Sequence, residues 1–273
     1  MIYMRRIMKK YMIIAAASLL SACNGNAPVS DADKFGLNCN VLELTLQSDT
    51  LENPYTVTFN DFGQIQEIVT SNFDGTLRFT ESYYYENGKV KEIYGVNSEN
   101  ENEIRYEYEY DGRFIRECRT YGMNNQEMQR WVHTNNGRHI VKTEFFLEGE
   151  PEYVTTKDFK GDSYEEKSVN MDGEVMGTAH VEFFRTDTKP SRVLSDDLDL
   201  VIEYNKQGLP VMSKGVALDS RNELKWMRDL DENPLRYYSY EYDERGNWVS
   251  RAESVHPDST AYAVMHRTIV YQK

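Results

Sequence analysis

Basic residues are in short supply in this chain. Lysine and arginine number 31 against 45 aspartates and glutamates, a formal charge of −14, and no basic patch stands out along the sequence. Such a chain repels nucleic acid and anionic lipid headgroups, so neither is an expected partner. Long apolar runs are also missing. Only Tyr11 to Leu20 approaches one, and it is too short to cross a bilayer and stay there. No window carries a sustained apolar stripe at the 3.6-residue period, so helix is expected to be minimal. Catalytic signatures are absent as well: there is no Gly-x-Ser-x-Gly elbow, phosphate loop, dinucleotide fingerprint, His-Glu-x-x-His pair or EF-hand loop. The chain is therefore read as non-catalytic, with no cofactor and no metal.

The N-terminus sets a compartment. Arg5, Arg6, Lys9 and Lys10 precede the apolar run, which ends at Leu20-Ser21-Ala22-Cys23. A positive flank, a short apolar core and small residues before the cut describe a secretory signal over residues 1–22. Leu-Ser-Ala-Cys resembles the lipobox of bacterial lipoproteins, which implies that Cys23 becomes the lipidated first residue of the mature protein. Lipid chains add membrane affinity with every buried methylene, so Cys23 is expected to anchor an otherwise soluble domain. Losing the four basic residues of the signal takes the formal charge from −14 to −18 and leaves 251 residues, enough for one large β domain or two small ones. Residues 23–38 are small and polar and read as a flexible tether. Asn24 stands where an Asp retains some lipoproteins in the inner membrane, so an outer-membrane lipoprotein is expected, on the periplasmic face or the cell surface. Three cysteines are present. With Cys23 lipidated, Cys39 and Cys118 remain, either as a disulfide in an oxidising compartment or as two buried small hydrophobes.

What fills the rest of the chain is a repeated turn. In Tyr242-Asp243-Glu244-Arg245-Gly246-Asn247-Trp248 an aromatic precedes Asp or Asn, two variable residues and Gly. Asp or Asn bonds its own backbone two residues on, and Gly accepts the positive φ that closes the turn. Phe59 to Ile65 and Tyr204 to Leu209 match this unit. Shorter versions lie at Tyr85 to Val90, Tyr110 to Phe114 and Thr134 to Ile140. Glycines 63, 88, 112, 137 and 161 are 25, 24, 25 and 24 residues apart, the length of one β-hairpin with its turns. Through residues 170 to 200 the ladder blurs, although Asp172-Gly173 still supplies a turn.

The Tyr-Asp-x-x-Gly-Asn-Trp unit, its period and the closing Arg267-Thr268-Ile269-Val270-Tyr271 resemble the YD-repeat (RHS-like) proteins of bacteria, particularly short secreted lipoproteins, over residues 55 to 273. Large members of that family wrap their repeats into a shell around a toxin segment, and this chain has no extra segment to enclose. The resemblance implies a fold and supplies no catalytic residue.

Periodicity separates two faces. In Tyr106-Glu107-Tyr108-Glu109-Tyr110 a period of two puts three rings on one side and two carboxylates on the other, as in Tyr83 with Tyr85 and in Tyr238, Tyr240 and Tyr242. Residues 39–273 are therefore expected to form an all-β domain, an antiparallel hairpin meander that makes a curved sheet, shell or open barrel with cross-strand tyrosine ladders. A β-propeller with two hairpins per blade is the alternative. Candidate sites are few. Trp131, Trp226 and Trp248 are candidate stacking platforms for sugar rings, with packing as the competing role. Glu165-Glu166 and Asp196-Asp197 are paired acids, but neighbours on a strand point to opposite faces. His133 and His139 flank the Asn135-Asn136-Gly137 turn and are expected to face one another as exposed strand residues, half of a metal site at most. The expected role is a lipid-anchored binding or envelope-structural module for protein or glycan. A carbohydrate-binding accessory protein or weak glycan hydrolase is the alternative.

Overall fold

The computed structural model describes residues 31–35, 37, 40–48, 54–72, 74–99, 102–185, 189–195, 198–217 and 235–272. One short helix, α1 (Asp31–Lys34), precedes eighteen strands. The chain opens with β1 (Val41–Ser48), β2 (Tyr55–Phe59), β3 (Ile65–Ser71), β4 (Leu77–Glu86), β5 (Lys89–Asn97) and β6 (Asn102–Asp111). It continues through β7 (Phe114–Tyr121), β8 (Glu127–Asn135), β9 (Ile140–Leu147), β10 (Glu150–Lys160), β11 (Ser163–Asn170) and β12 (Val175–Phe183). The last six are β13 (Pro190–Ser195), β14 (Leu198–Tyr204), β15 (Pro210–Ala217), β16 (Leu235–Tyr242), β17 (Trp248–Ser254) and β18 (Ala263–Tyr271).

Every strand pairs antiparallel with its neighbours in the chain. The last strand then pairs with the first, from Val41 opposite Tyr271 to Ser48 opposite Met265. The expected hairpin meander is thus a closed, up-and-down barrel of eighteen strands, with neither an open edge nor the separate blades of a propeller. Closure removes the unpaired backbone groups that an edge strand would present to other molecules. Strands about 4.8 Å apart make a hoop roughly 85 Å around, too wide for side chains alone to fill.

One repeat is one up-and-down pair, so glycines 63, 88, 112, 137, 161, 208 and 246 all lie at the same rim, with positive φ between 55° and 84°. In four of these turns an Asx side chain caps two backbone amides, Asn136 doing so for Arg138 N and His139 N at 3.0 and 2.9 Å. Asn60 accepts from Phe62 N and Gln64 N at 3.0 and 3.1 Å, Asn205 from Gln207 N and Leu209 N at 2.9 and 3.0 Å, and Asp243 from Arg245 N and Asn247 N, both at 2.9 Å. The strand register slips by one residue at the aromatic that enters the turn, at Phe59, Tyr85, Tyr110, Tyr204 and Tyr242. Such bulges bend a strand and increase its twist.

Adjacent turns are also tied together. Gln64 Nε2 donates to the carbonyl of Gly88 at 3.2 Å, Lys89 to that of Gly112, Arg113 to that of Gly137 at 3.0 Å, and Lys189 to that of Gly208 at 3.1 Å. Where the chain blurs, the turn chemistry moves to the opposite rim. Asn170 there caps Asp172 N and Glu174 N at 3.1 and 2.8 Å, and Gly173 takes the positive φ.

Residues 31–35 and 37, expected to belong to the flexible tether, instead pack onto the barrel. Asp31 Oδ2 accepts from Ile65 N at 3.0 Å and from the Tyr85 hydroxyl at 2.6 Å, and Ala32 N donates to Gly63 O at 3.0 Å. Ala32 and Leu37 join Leu44, Val57, Phe59 and Ile65 in the most densely buried part of the molecule. Cys23 and the rest of the expected signal and tether up to residue 30 lie outside the described residues.

Candidate ligand-binding interior

The register assigns a face to every strand residue. Leu44 lies opposite Val57 and Ile269, Val57 opposite Ile68, Ile68 opposite Glu81, Tyr83 opposite Ile93, and Ile93 opposite Tyr106. The same face continues through Cys118, Trp131, Phe145 and Tyr153. Most of the buried strand residues sit on this face, among them Leu44, Val57, Ile93, Thr120, His133, Phe145, Tyr164 and Val181. It is therefore the inner wall. Most of its other members, such as Tyr106, Tyr108, Trp131 and Tyr153, are only half-buried, so the interior is not collapsed and water reaches it.

The opposite face carries the charge. Arg105 pairs with Glu107, Arg119 with Glu117, Lys142 with Glu144 at 3.1 Å, Arg192 with Asp199 at 3.4 Å, and His180 with Glu165 and Glu182 at 2.8 and 3.4 Å. Apart from Asp199 and Glu182, which lie near strand ends, these residues occupy the middle of their strands. A bilayer-spanning barrel needs a continuous apolar outer band at that height, and this outer wall is ionic there.

The tyrosine stripes lie on one face, as their period of two implies. They do not form direct ladders, because a returning strand separates one stripe from the next: Ile93 stands between Tyr83 and Tyr106. Several of these rings hold the wall together through their hydroxyls. Tyr110 donates to Val90 O at 2.8 Å, Tyr204 to Pro190 O at 2.8 Å and Tyr240 to Pro210 O at 2.7 Å. Burial pushes the phenol pKa values of Tyr106, Tyr204 and Tyr240 up to about 12 and raises those of Tyr83 and Tyr108 as well.

The wall of β8 to β11 is layered. Trp131, Phe145 and Tyr153 form a run of rings with centroids 5.3 and 4.9 Å apart. Below them His133 Nδ1 meets Thr143 Oγ1 at 2.9 Å, and Thr155 Oγ1 meets Ser168 Oγ at 2.7 Å. Lys157 and Glu166 follow as an ion pair at 3.3 Å, and then Phe159, Tyr164 and His139, with His139 stacked on Phe159 at 4.0 Å. Burial works against the Lys157 ammonium, but Tyr164 and Glu166 outweigh it and the pKa is raised. His133 is 6 % exposed and its Nε2 has no partner among the described residues. Burial first, and then the charge of Lys157, lowers its pKa to about 4.

Trp131 faces the interior with its ring beside Phe145. Trp248 is 4 % exposed, with the Arg267 guanidinium 3.4 Å over its ring and Tyr240 edge-on at 5.9 Å, so its role is packing. Trp226 and Asp196-Asp197 lie outside the described residues. Cys118 is a free thiol on the inner wall opposite Tyr108, and burial pushes its pKa up to about 12, partly offset by a hydrogen bond with Tyr108. Cys39 lies outside the described residues. The expected pairing of His133 with His139 does not form: His133 faces Thr143 and is buried, while His139 sits in the four-residue loop with its ring on Phe159. Glu165 and Glu166 part as neighbours on a strand must, Glu165 outward to His180 and Glu166 inward to Lys157. Sequence reasoning missed Asp31, the Lys157–Glu166 pair and the inward Arg251 and Arg267. The phase of their strands against the tyrosine stripes was the one available signal.

No family model and no curated protein matches this chain. Among solved structures it is similar to a porin-like protein from Bacteroides uniformis, with a TM-score of 0.42, 10% identity, and coverage of 84% of this chain and 98% of that one. A porin-like protein from Bacteroides vulgatus gives a TM-score of 0.31 at 11% identity over 86% and 99%. A protein of unknown function from Bacteroides fragilis gives 0.23 at 14% identity over 50% and 97%. None of these likenesses is close enough to carry a function across.

Proposed function

We propose that this protein is a lipid-anchored envelope protein of the outer membrane whose barrel stands in water and holds a small ligand, a glycan by the chemistry of its wall, without turning it over. One observation carries this reading: around a closed ring of strands, alternation sends most ionic pairs outward and most rings inward, and the inward rings stay half open. An ionic exterior suits water, and flat aromatic faces edged by hydroxyls suit sugar rings. The YD-repeat resemblance fits a secreted barrel of this kind, and Cys23 supplies its tether to the membrane.

Three measurements test it. A Cys23→Ala chain purified without detergent is expected to be monodisperse and β-rich, and a strict requirement for detergent would refute the soluble barrel. Neutral oligosaccharides are expected to quench tryptophan fluorescence in the wild type and less in Trp131→Ala. Release of cleaved sugar from any of them would overturn the non-catalytic assignment.

A further inference from the structure

The inner wall of β16 to β18 holds an arrangement of charge that packing does not explain. Arg251 lies directly opposite Tyr240 on one side and Met265 on the other. Arg267, two residues beyond Met265 on the same face, is its diagonal neighbour across the β17–β18 pair. Both guanidiniums point into the barrel, and no carboxylate of the described residues lies within ion-pair distance of either. In a chain with 45 acids to 31 lysines and arginines, that is an unusual omission. Other basic groups on the inner face are matched, Lys157 with Glu166 at 3.3 Å and Arg236 with Glu253 at 3.4 Å.

The two arginines are also incompletely bonded. The Nε atoms of both are sealed from solvent without an acceptor among the described residues. Arg267 is held in place on two sides, its plane 3.4 Å over Trp248 and its Nη1 donating to Phe35 O at 2.9 Å. Arg251 lies 5.5 Å from the Tyr238 ring. Burial and the neighbouring Arg251 charge bring the Arg267 pKa down to about 9, against the opposing pull of Tyr55 and Tyr240. Two like charges near one another on one wall and short of acceptors are costly unless a third group of opposite sign joins them.

We propose that Arg251 and Arg267 form an oxyanion receptor inside the barrel, taking the carboxylate, sulfate or phosphate of a ligand whose body lies along the adjoining Tyr55 and Tyr240. Guanidinium forks match the planar spacing of such oxygens, and the rigid seating of Arg267 reduces the entropy lost on binding. The proposal deepens the reading of the interior as a ligand site by naming the charge of the ligand.

The test uses the Cys23→Ala chain, with inorganic phosphate and glucuronate as anionic probes and glucose as the neutral one, by calorimetric titration and thermal shift. Arg251→Gln is the informative variant, because Arg267 also packs on Trp248 and its loss would disturb the fold. Both anions, or one of them, are expected to bind the wild type, which shows whether phosphate or carboxylate is preferred. Arg251→Gln is expected to weaken that binding at least tenfold and to leave the melting temperature of the unliganded protein unchanged or higher. Lys142→Gln, an equal charge change on the outer wall, is expected to leave binding as it was. Equal weakening by Lys142→Gln, equal affinity in wild type and Arg251→Gln, or no anion binding would overturn the proposal. Neutral oligosaccharide binding that depends on Trp131 would stand in that event, so failure of the anion receptor is separable from failure of the ligand-binding interior.

Discussion

Asn247 donates its side-chain amide to the hydroxyl of Tyr271 at 2.7 Å, and the same hydroxyl donates to Asp243 Oδ2. The Gly-Asn-Trp end of the last repeat turn is thereby bound to the end of β18, the strand that pairs with β1 to shut the barrel. Asn247 is 0 % exposed, so water cannot replace what it bonds. Asn247→Ala is expected to cost about 1–3 kcal/mol, the range for stranding buried hydrogen-bonding groups. Tyr271→Phe, which keeps the ring, is expected to cost less. Urea unfolding of both variants checks the order.

Acid should weaken the barrel through His133. In the folded state this imidazole stays neutral down to a pKa of about 4 because it is buried beside Lys157, whereas in the unfolded chain it titrates near 6.5. Between these values the unfolded state binds more protons, so stability falls as pH drops below about 6.5 and levels off near 4. The full effect is roughly 3 kcal/mol. His133→Gln is expected to flatten that part of the stability-against-pH curve, and an unchanged slope would show that other groups carry it.

Breaking the luminal ion pair from one side should hurt more than removing it. Lys157→Met leaves Glu166 facing the interior without its cation, at a cost of about 1–3 kcal/mol, less than a fully dry pair because water reaches this wall. Lys157→Met combined with Glu166→Leu is expected to recover most of that loss. A double-mutant cycle in denaturant gives the coupling directly.

One turn carries avoidable strain. Glu148 adopts φ +52° beside Gly149 in the hairpin between β9 and β10, where a Cβ is disfavoured. Its backbone N donates to Met128 O at 2.8 Å, a bond that any residue but proline keeps. Glu148→Gly is expected to stabilise the protein by about 0.5–1 kcal/mol, read as a higher melting temperature.

Strands, turns and the sorting of residues between two faces were legible along the chain, because each depends on neighbours in sequence. Asp243 caps amides two and four residues away, Gly246 takes the positive φ, and Tyr106, Tyr108 and Tyr110 share a side because the strand period is two. The period of 24 to 25 residues likewise implied one hairpin per repeat. Closure did not follow from any of this. It rests on β1 meeting β18 across more than 200 residues, and on which side of the curved sheet became concave. That choice made the tyrosine face an interior, buried His133 instead of exposing it, drew Asp31 out of the tether onto Tyr85, and brought Arg251 and Arg267 together without an acid between them. Local spacing is blind to such contacts because they are set by strand register accumulated around the ring, where a slip of one residue would turn any of these side chains to the other face.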